Sequence, residues 1–169
     1  MGDPKKPRKK YSAPKYPWRG DQLSQELYMV GTYGLRNKRE LWKAHTELSR
    51  IRKQARMLLA EPHETRGKKE KELLSSLSKM GIVDLKSTLD DVLSLTIENL
   101  LERRLQTVVW KRGMASSPYQ ARQMITHGHI MIGDKIVTRP GYTVKRDEDM
   151  KVKLSDSSPL RGSISSRSE

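Results

Sequence analysis

The sequence has no cysteine and no phenylalanine among its 169 residues, and aromatic side chains make up only 5% of it. Without cysteine, disulfides and thiolate zinc sites are excluded. With 34% hydrophobic residues, the chain supports only one or two small cores. No apolar run is long enough for a membrane span or a signal peptide. We therefore expect a soluble intracellular protein with no cofactor and no metal.

Acidic side chains are scarce beside basic ones. The chain has 20 Asp and Glu against 34 Lys and Arg, which gives a net charge of +14. Residues 1–56 hold 15 basic and 5 acidic side chains, so most of the excess lies in the first third. A polyanion is the partner that such a balance favours, and nucleic acid fits it best.

The first 20 residues combine prolines with Lys and Arg and cannot form a core. We expect an extended basic arm over residues 1–20. Its rings at Tyr11, Tyr16 and Trp18 alternate with cations, an arrangement that suits stacking on RNA bases or riboses. A disordered, solubilising tail is the alternative.

Residues 21–100 predict a helical domain that binds RNA. After a short helix at residues 23–29, Asn37 and Glu40 indicate a capping box that opens a long helix with one apolar stripe. Basic residues outnumber acidic ones on its other faces, which favours an RNA-facing helix over a merely solvated one. These basic residues are Arg36, Lys38, Arg39, Lys43, Arg50, Arg52, Lys53 and Arg56.

Two further helices complete this predicted domain. One spans residues 66–80 and ends at Gly81, whose freedom to adopt positive φ suits a helix C-terminus. The other begins with a capping box at Thr88 and Asp91 and continues through Leu100. We expect the three to pack as a small bundle that holds the basic helix in place.

Residues 101–154 predict a compact module of two helices and a hairpin. The first helix carries an apolar face from Leu101 onward and ends at Gly113. Ser117 caps the second helix, and residues 133–134 form the two-residue turn of a hairpin. A last strand alternates at residues 150–154, and the Ser-rich residues 155–169 predict a flexible tail. The expected fold class is α+β.

These residues are also compatible with other roles. Two helices joined by a short turn also suit a DNA-binding helix-turn-helix, although the second helix offers few base-reading side chains. Arg104 and Arg122 have a structural alternative, in which they pair with Glu102 or Glu98. His127 and His129 lack further ligands for a metal, and no catalytic motif is present.

Three segments of this module resemble the small-subunit ribosomal protein S4 family. They are residues 101–109 (LERRLQTVV), 121–125 (ARQMI) and 128–137 (GHIMIGDKIV). Residues 33–42 (YGLRNKRELW) are similar to the archaeal and eukaryotic branch, and the Ser-rich end points to an archaeal source. Because the arm has Lys, Pro and Tyr where many bacterial members carry a cysteine zinc cluster, zinc is not expected.

The resemblance implies a cytoplasmic ribosomal protein that is not an enzyme. Family members bind small-subunit ribosomal RNA directly and early, near a five-way junction in the body of the subunit. They lie beside proteins of the S5 and S12 types and influence decoding accuracy. Neither a membrane nor a homo-oligomer is expected. By position, the resemblance places Arg104, Ser117, Arg122, His127 and Lys135 on the RNA surface of the module.

Residues and resemblance together predict one set of RNA-binding side chains. The set is Arg36, Lys38, Arg39, Arg50, Lys53, Arg103, Arg104, Lys111, Arg112, Ser117, Arg122, His127, His129 and Lys135. Replacing Arg104 and Arg122 with alanine is expected to weaken binding and to leave the helical circular dichroism unchanged. The alternatives are a ribosome-biogenesis factor of the same lineage and an RNA-binding adaptor of an RNA-modifying enzyme.

Overall fold

A computed structural model describes residues 9–84, 86–155 and 158–159, without the side chains of residues 63–65. This part of the chain has helices α1 (Gly20–Thr32), α2 (Lys38–Ala60), α3 (His63–Lys79), α4 (Leu89–Ser94), α5 (Ile97–Glu102), α6 (Leu105–Lys111) and α7 (Pro118–Thr126). It also has strands β1 (Ile130–Ile132), β2 (Lys135–Ile136) and β3 (Val152–Leu154), and a short 3-10 helix at Arg146–Lys151. The predicted α+β class is confirmed.

Both ends of the chain fall largely outside this description. The first eight residues of the predicted arm lie outside the described residues. So does the predicted Ser-rich tail, apart from Ser155, Ser158 and Pro159. Among the described residues, no helix combines the length and the apolar character needed to cross a membrane.

Helix α2 is the axis of the helical part, and it contacts α1, α3, α4 and α5. The predicted apolar stripe is buried along its whole length, at Leu41, Ala44, Leu48, Ile51, Ala55 and Leu58. These positions recur every three or four residues and so lie on one side of the helix. The opposite side of α2 is left to solvent.

The predicted helix from Thr88 to Leu100 is in fact two short helices. The capping box of Thr88 and Asp91 is confirmed and opens α4. A second capping box, formed by Thr96 and Asn99, opens α5 and was missed by the sequence analysis. Because each box satisfies the free backbone groups of a new helix start, the chain turns here with its amides paired.

The predicted helix running on from Leu101 is also interrupted, between α5 and α6. Here Arg104 forms an antiparallel bridge with Thr143, and the amide of Val144 donates to the carbonyl of Arg103 at 2.8 Å. A segment some 40 residues later in the chain thus takes up backbone groups that a continuous helix would have paired internally. The break joins the helical part to the module.

In the module, α6 and α7 pack against a three-stranded antiparallel sheet of order β2-β1-β3. The predicted hairpin is confirmed, with Ile132 opposite Lys135 and Gly133 at a φ of 61° in the turn. The last strand is confirmed at β3. Met150, predicted as part of that strand, instead lies exposed in the 3-10 helix.

Candidate nucleic-acid interface

The solvent side of α2 carries a row of cations. Arg39, Lys43, Arg50 and Lys53 are exposed, and their spacing of three, four or seven residues puts them on one face. We call these four residues the α2 strip. At 1.5 Å per residue the strip is about 21 Å long. Within the described part of the chain, none of the four has an acidic partner, so their charge is available to a ligand.

The described end of the arm lies against this helix. The ring of Tyr11 stacks on Trp42 with centroids 5.9 Å apart, and the amide of Ser12 donates to Thr46 Oγ1 at 2.9 Å. Lys9 lies over the Tyr11 ring at 4.8 Å. The arm therefore brings further cations beside the α2 strip. The ring of Tyr11, expected to stack on RNA, has a partner within the protein.

Lys38 and Trp42 both contact the buried carboxylate of Glu26. Lys38 Nζ lies 3.2 Å from Glu26 Oε2, and Trp42 Nε1 donates to Oε1 at 3.1 Å. Burial raises the pKa of Glu26, but these hydrogen bonds outweigh it and leave the pKa below its ordinary value. The two contacts attach α1 to α2.

Arg52 differs from the other basic residues of α2. Its guanidinium donates to the carbonyl of Leu95, at the C-terminus of α4, and its Nε is buried without a partner. Arg52 therefore has a structural contact within the protein, and its contact with RNA stays a prediction. The side chain caps a neighbouring helix, whose last carbonyls attract cations.

Arg104 and Arg122 converge on Glu40. Arg104 Nη2 lies 2.6 Å from Glu40 Oε2, and Arg122 Nη2 lies 2.6 Å from Oε1. The structural alternative paired these arginines with Glu102 or Glu98. That pairing is wrong, because their partner is Glu40. The predicted capping box at Asn37 is only half formed: Asn37 accepts from the amide of Glu40, whose own carboxylate is taken by the arginines.

The electrostatics of Glu40 follow from this arrangement. Burial raises the pKa of Glu40, but the hydrogen bond from Arg122 and the positive charges of Arg104 and Arg122 lower it by more. The net result is a pKa below the ordinary value of 4.5. The carboxylate is charged at neutral pH and pairs with two cations that were both predicted to bind RNA, so it offsets only part of their charge.

Gln106 extends the same cluster into the core. Its side chain is 1% exposed. Its Nε2 donates to the carbonyls of Gly34 at 2.8 Å and Pro118 at 2.9 Å, and its Oε1 accepts from Arg122 at 3.2 Å. One amide therefore joins the loop before α2 to the start of α7. We call Glu40, Arg104, Gln106 and Arg122 the Glu40 cluster.

Three more predicted RNA-binding cations have acidic partners. Arg103 and Arg112 share the two oxygens of Asp149, at 2.9 and 2.8 Å. Arg103 also donates to the carbonyl of Met80, just after α3, at 3.2 Å and to the carbonyl of Val144 at 3.0 Å. Lys111 lies 2.7 Å from Glu102, on the surface. The bond to Met80 joins the module to the helical part, whereas the ion pairs lie within the module.

The predicted residues Ser117 and His127 lie at opposite ends of α7. Ser117 accepts from the amide of Gln120 and caps α7, as predicted. His127 is exposed just after α7, and the rings of His127 and His129 are 6.3 Å apart. A Cβ on Gly128 would lie 3.4 Å from Ile136, so this loop packs on β2, which bears the exposed Lys135.

Sequence reasoning missed the Glu40 cluster because its members are far apart in the chain. One signal was present: Gln106 is a polar residue between Leu105 and the apolar pair Val108 and Val109. A buried amide of this kind requires hydrogen-bond partners. The described residues hold no group of three or more His, Asp or Glu side chains placed to bind a metal ion.

Comparison with known proteins covers nearly the whole chain. Residues 5–102 match the family model of the ribosomal protein S4/S9 N-terminal domain, and residues 103–150 match that of the S4 domain. The small ribosomal subunit protein uS4 of Ignicoccus hospitalis is 57% identical over 159 residues, which are 94% of this chain and 96% of that protein. The uS4 protein of Sulfolobus acidocaldarius is 50% identical over 170 residues, covering 100% and 97%.

Proposed function

The chain belongs to the ribosomal protein S4 family, and on this basis we propose that it is a structural constituent of the small ribosomal subunit that binds the RNA of that subunit directly. It is a ribosomal protein of the cytoplasm and not an enzyme. The observation that carries the RNA-binding role is the α2 strip, four exposed cations on one face of a long helix that have no acidic partner in the part of the chain that the structure describes.

Cations held in a row by a helix suit a phosphate backbone. Each Lys or Arg that neutralises a phosphate releases a condensed counterion, which favours association most at low salt. Because α2 is packed against four other helices, the strip keeps its shape before RNA arrives. Such preorganisation lowers the entropy that binding costs.

We propose two roles for the predicted RNA-binding residues, divided by what the side chains contact. The basic residues that have no acidic partner among the described residues bind phosphate directly: Arg36, Arg39, Arg50, Lys53, His127, Lys135 and the half-buried His129. The others shape the interface through their contacts within the protein: Lys38, Arg103, Arg104, Lys111, Arg112, Ser117 and Arg122.

The division into domains is proposed on the same lines as the sequence indicates: an arm at 1–20, a helical RNA-binding domain at 21–100, the module at 101–154 and a tail. Separate hydrophobic clusters support the boundary, since the module's own core begins at Leu105. Leu101 packs instead with residues of the helical part, such as Leu41. Both regions are proposed to contact one RNA.

The finer role follows from the resemblance alone. We propose that the RNA contacted is a junction of several helices, that binding helps to nucleate the body of the subunit, and that neighbours of the S5 and S12 types adjoin the protein. Recognition of a junction is shape reading, because cations held in fixed positions fit only some arrangements of the backbone.

The test is a salt titration of affinity for a multi-helix junction of small-subunit RNA, beside a random RNA duplex of equal length. Replacing Arg50 and Lys53 with alanine should weaken binding to both and reduce the slope of log affinity against log salt by roughly one to two, because two phosphate contacts are lost. The wild type should prefer the junction, and that preference should survive as salt rises.

A matched control is the pair Lys68→Ala and Lys71→Ala, which removes two exposed cations from α3 rather than from the strip. The control should keep the wild-type slope. If both variants lower the slope equally, the protein binds by net charge and the α2 strip has no special role. Equal wild-type affinities for junction and duplex would contradict junction binding.

A further inference from the structure

Two aromatic rings stand in solvent where the arm meets α1. Trp18 is 87% exposed and Tyr16 is 63% exposed, whereas most large apolar side chains of the described residues are at least half buried. The chain has only 3 Trp residues in all. An exposed Trp presents a large flat apolar surface, and such surfaces mark binding sites more often than an exposed aliphatic residue does.

The segment that bears these rings is attached at both ends. On one side, Tyr11 stacks on Trp42 and Ser12 is bonded to α2. On the other side, the carbonyl of Tyr16 accepts from the amide of Arg19 at 3.4 Å, directly before α1. Prolines at positions 14 and 17 fix φ between the two attachments. The rings are therefore held away from the core.

Cations flank the rings. Lys15 Nζ lies 5.4 Å from the centroid of the Tyr16 ring, and Arg19 follows Trp18 directly. An open cavity of about 640 Å³ is lined by five consecutive residues: Lys15, Tyr16, Pro17, Trp18 and Arg19. No carboxylate lines this cavity among the described residues. The site therefore combines flat apolar surface with positive charge.

We propose that Tyr16 and Trp18 form a stacking platform for unpaired RNA bases, with Lys15 and Arg19 neutralising the phosphates beside them. Every base has a π-face that an aromatic side chain can stack on, and in a duplex those faces are covered by neighbouring bases. The platform therefore selects single-stranded nucleotides next to the RNA bound by the α2 strip. This inference rests on the proposed function and adds a second kind of contact to it.

The cations beside the two rings favour RNA over a protein segment as the ligand of this site. Another exposed ring, Tyr28 on α1, is 71% exposed, but the cavity beside it is lined by Glu98 and, among the described residues, by no cation. A site for an apolar peptide has no need of cations on both sides, whereas each unpaired nucleotide brings a phosphate. Tyr28 therefore serves as the control for an exposed aromatic side chain without flanking positive charge.

The experiment measures affinity of the full chain for two RNAs: a blunt duplex, and the same duplex with a single-stranded overhang that contains a fluorescent adenine analogue. The wild type should bind the overhang RNA more tightly and quench the analogue by stacking. Trp18→Ala should weaken overhang binding roughly 5- to 100-fold and abolish the quenching, with little change on the blunt duplex. Trp18→Phe should restore most of the binding, and Trp18→Leu should not.

Tyr28→Ala should match the wild type on both RNAs. The proposal is overturned if Trp18→Ala leaves overhang affinity and quenching unchanged, or if it weakens both RNAs equally. It is also overturned if Trp18→Leu restores binding, because an apolar protein partner would then fit the patch better. The Arg50 and Lys53 variant reports on the proposed function separately, since its loss applies to the blunt duplex as well.

Discussion

Gly34 occupies the tightest position in the loop before α2. Its φ is +58°, in the left-handed region that favours glycine. A Cβ here would lie 2.7 Å from Pro118 Cβ and 2.9 Å from Gln106 Nε2. Neither neighbour has room to yield, because Gln106 is bonded on several sides and Pro118 begins α7. The loop and the module approach each other this closely only because residue 34 has no side chain.

We predict that Gly34→Ala lowers the free energy of unfolding by about 2–4 kcal/mol, the sum of left-handed strain and overpacking. Gly113→Ala, at a φ of +73° with nothing within 4 Å, should cost only the strain, about 1–2 kcal/mol. Gly31→Ala, within α1 and in open space, should stabilise by up to about 1 kcal/mol. Urea denaturation of the three variants measures this order, and equal losses at Gly34 and Gly113 would contradict the close approach.

At the scale of elements, two helix breaks affect the positions of the basic side chains near them. Where apolar residues keep a helical spacing, the pattern predicts one continuous helix and gives no sign of an interruption. The break before α5 has a local cause, the capping box of Thr96 and Asn99. The break before α6 has a distant cause, the bridge between Arg104 and Thr143. Only the first of these breaks can be predicted from neighbouring residues.

We predict that Thr96→Ala lowers the free energy of unfolding by about 1 kcal/mol, because the amides at the start of α5 lose their cap. Ser24→Ala is the control, since its hydroxyl bonds only to a carbonyl of its own helix, α1. That change should be neutral within about 0.5 kcal/mol. Thermal unfolding followed by circular dichroism measures both. A Thr96 variant as stable as the control would show that α4 and α5 pack without the cap.

At the scale of the whole molecule, the Glu40 cluster joins the helical part to the module. Glu40 lies on α2, Arg104 at the break and Arg122 on α7, so one carboxylate connects three places. Replacing both arginines would leave Glu40 without partners in a half-buried site, which costs stability. The double alanine variant is therefore a test of folding as much as of binding, and the exposed α2 strip is the better test of RNA contact.

We predict an acid-dependent loss of stability that Glu40→Gln removes. The folded-state pKa of Glu40 lies below its ordinary value of 4.5, so its charged form stabilises the fold above that pH. The stabilisation is lost as pH falls below 4.5 through the folded-state value. Glu40→Gln should be less stable than the wild type by roughly 2 kcal/mol at neutral pH, and the difference should shrink with acid.

Urea denaturation of the wild type and the Glu40→Gln variant across this pH range measures how the difference in their stability shrinks. Glu47→Gln is the control, because it removes an exposed carboxylate from the same helix and leaves both ion pairs of Glu40 in place. Its stability should show the same acid loss as that of the wild type. A Glu40→Gln variant that remains equally far below the wild type at every pH would contradict the prediction.

Local sequence patterns predicted the long helix α2, the hairpin, the basic character and the family resemblance, but not the two helix breaks. Each depends on residues close together in the chain: the α2 stripe on spacings of three and four, the hairpin on Gly133 with Asp134, and the resemblance on short motifs. The same local reasoning placed Arg39, Arg50 and Lys53 on the solvent side of α2. Periodicity settles which face of a helix is exposed.

Which cations have acidic partners depends on contacts between distant parts of the chain. Arg104 and Arg122 look like RNA ligands in the sequence, yet their partner Glu40 lies 64 and 82 residues away along the chain. Ion pairs form between side chains that folding brings close together. The separation of two residues along the sequence does not predict their distance in space. For the same reason, the docking of Tyr11 on Trp42 and the exposure of Trp18 were visible only once the chain had folded.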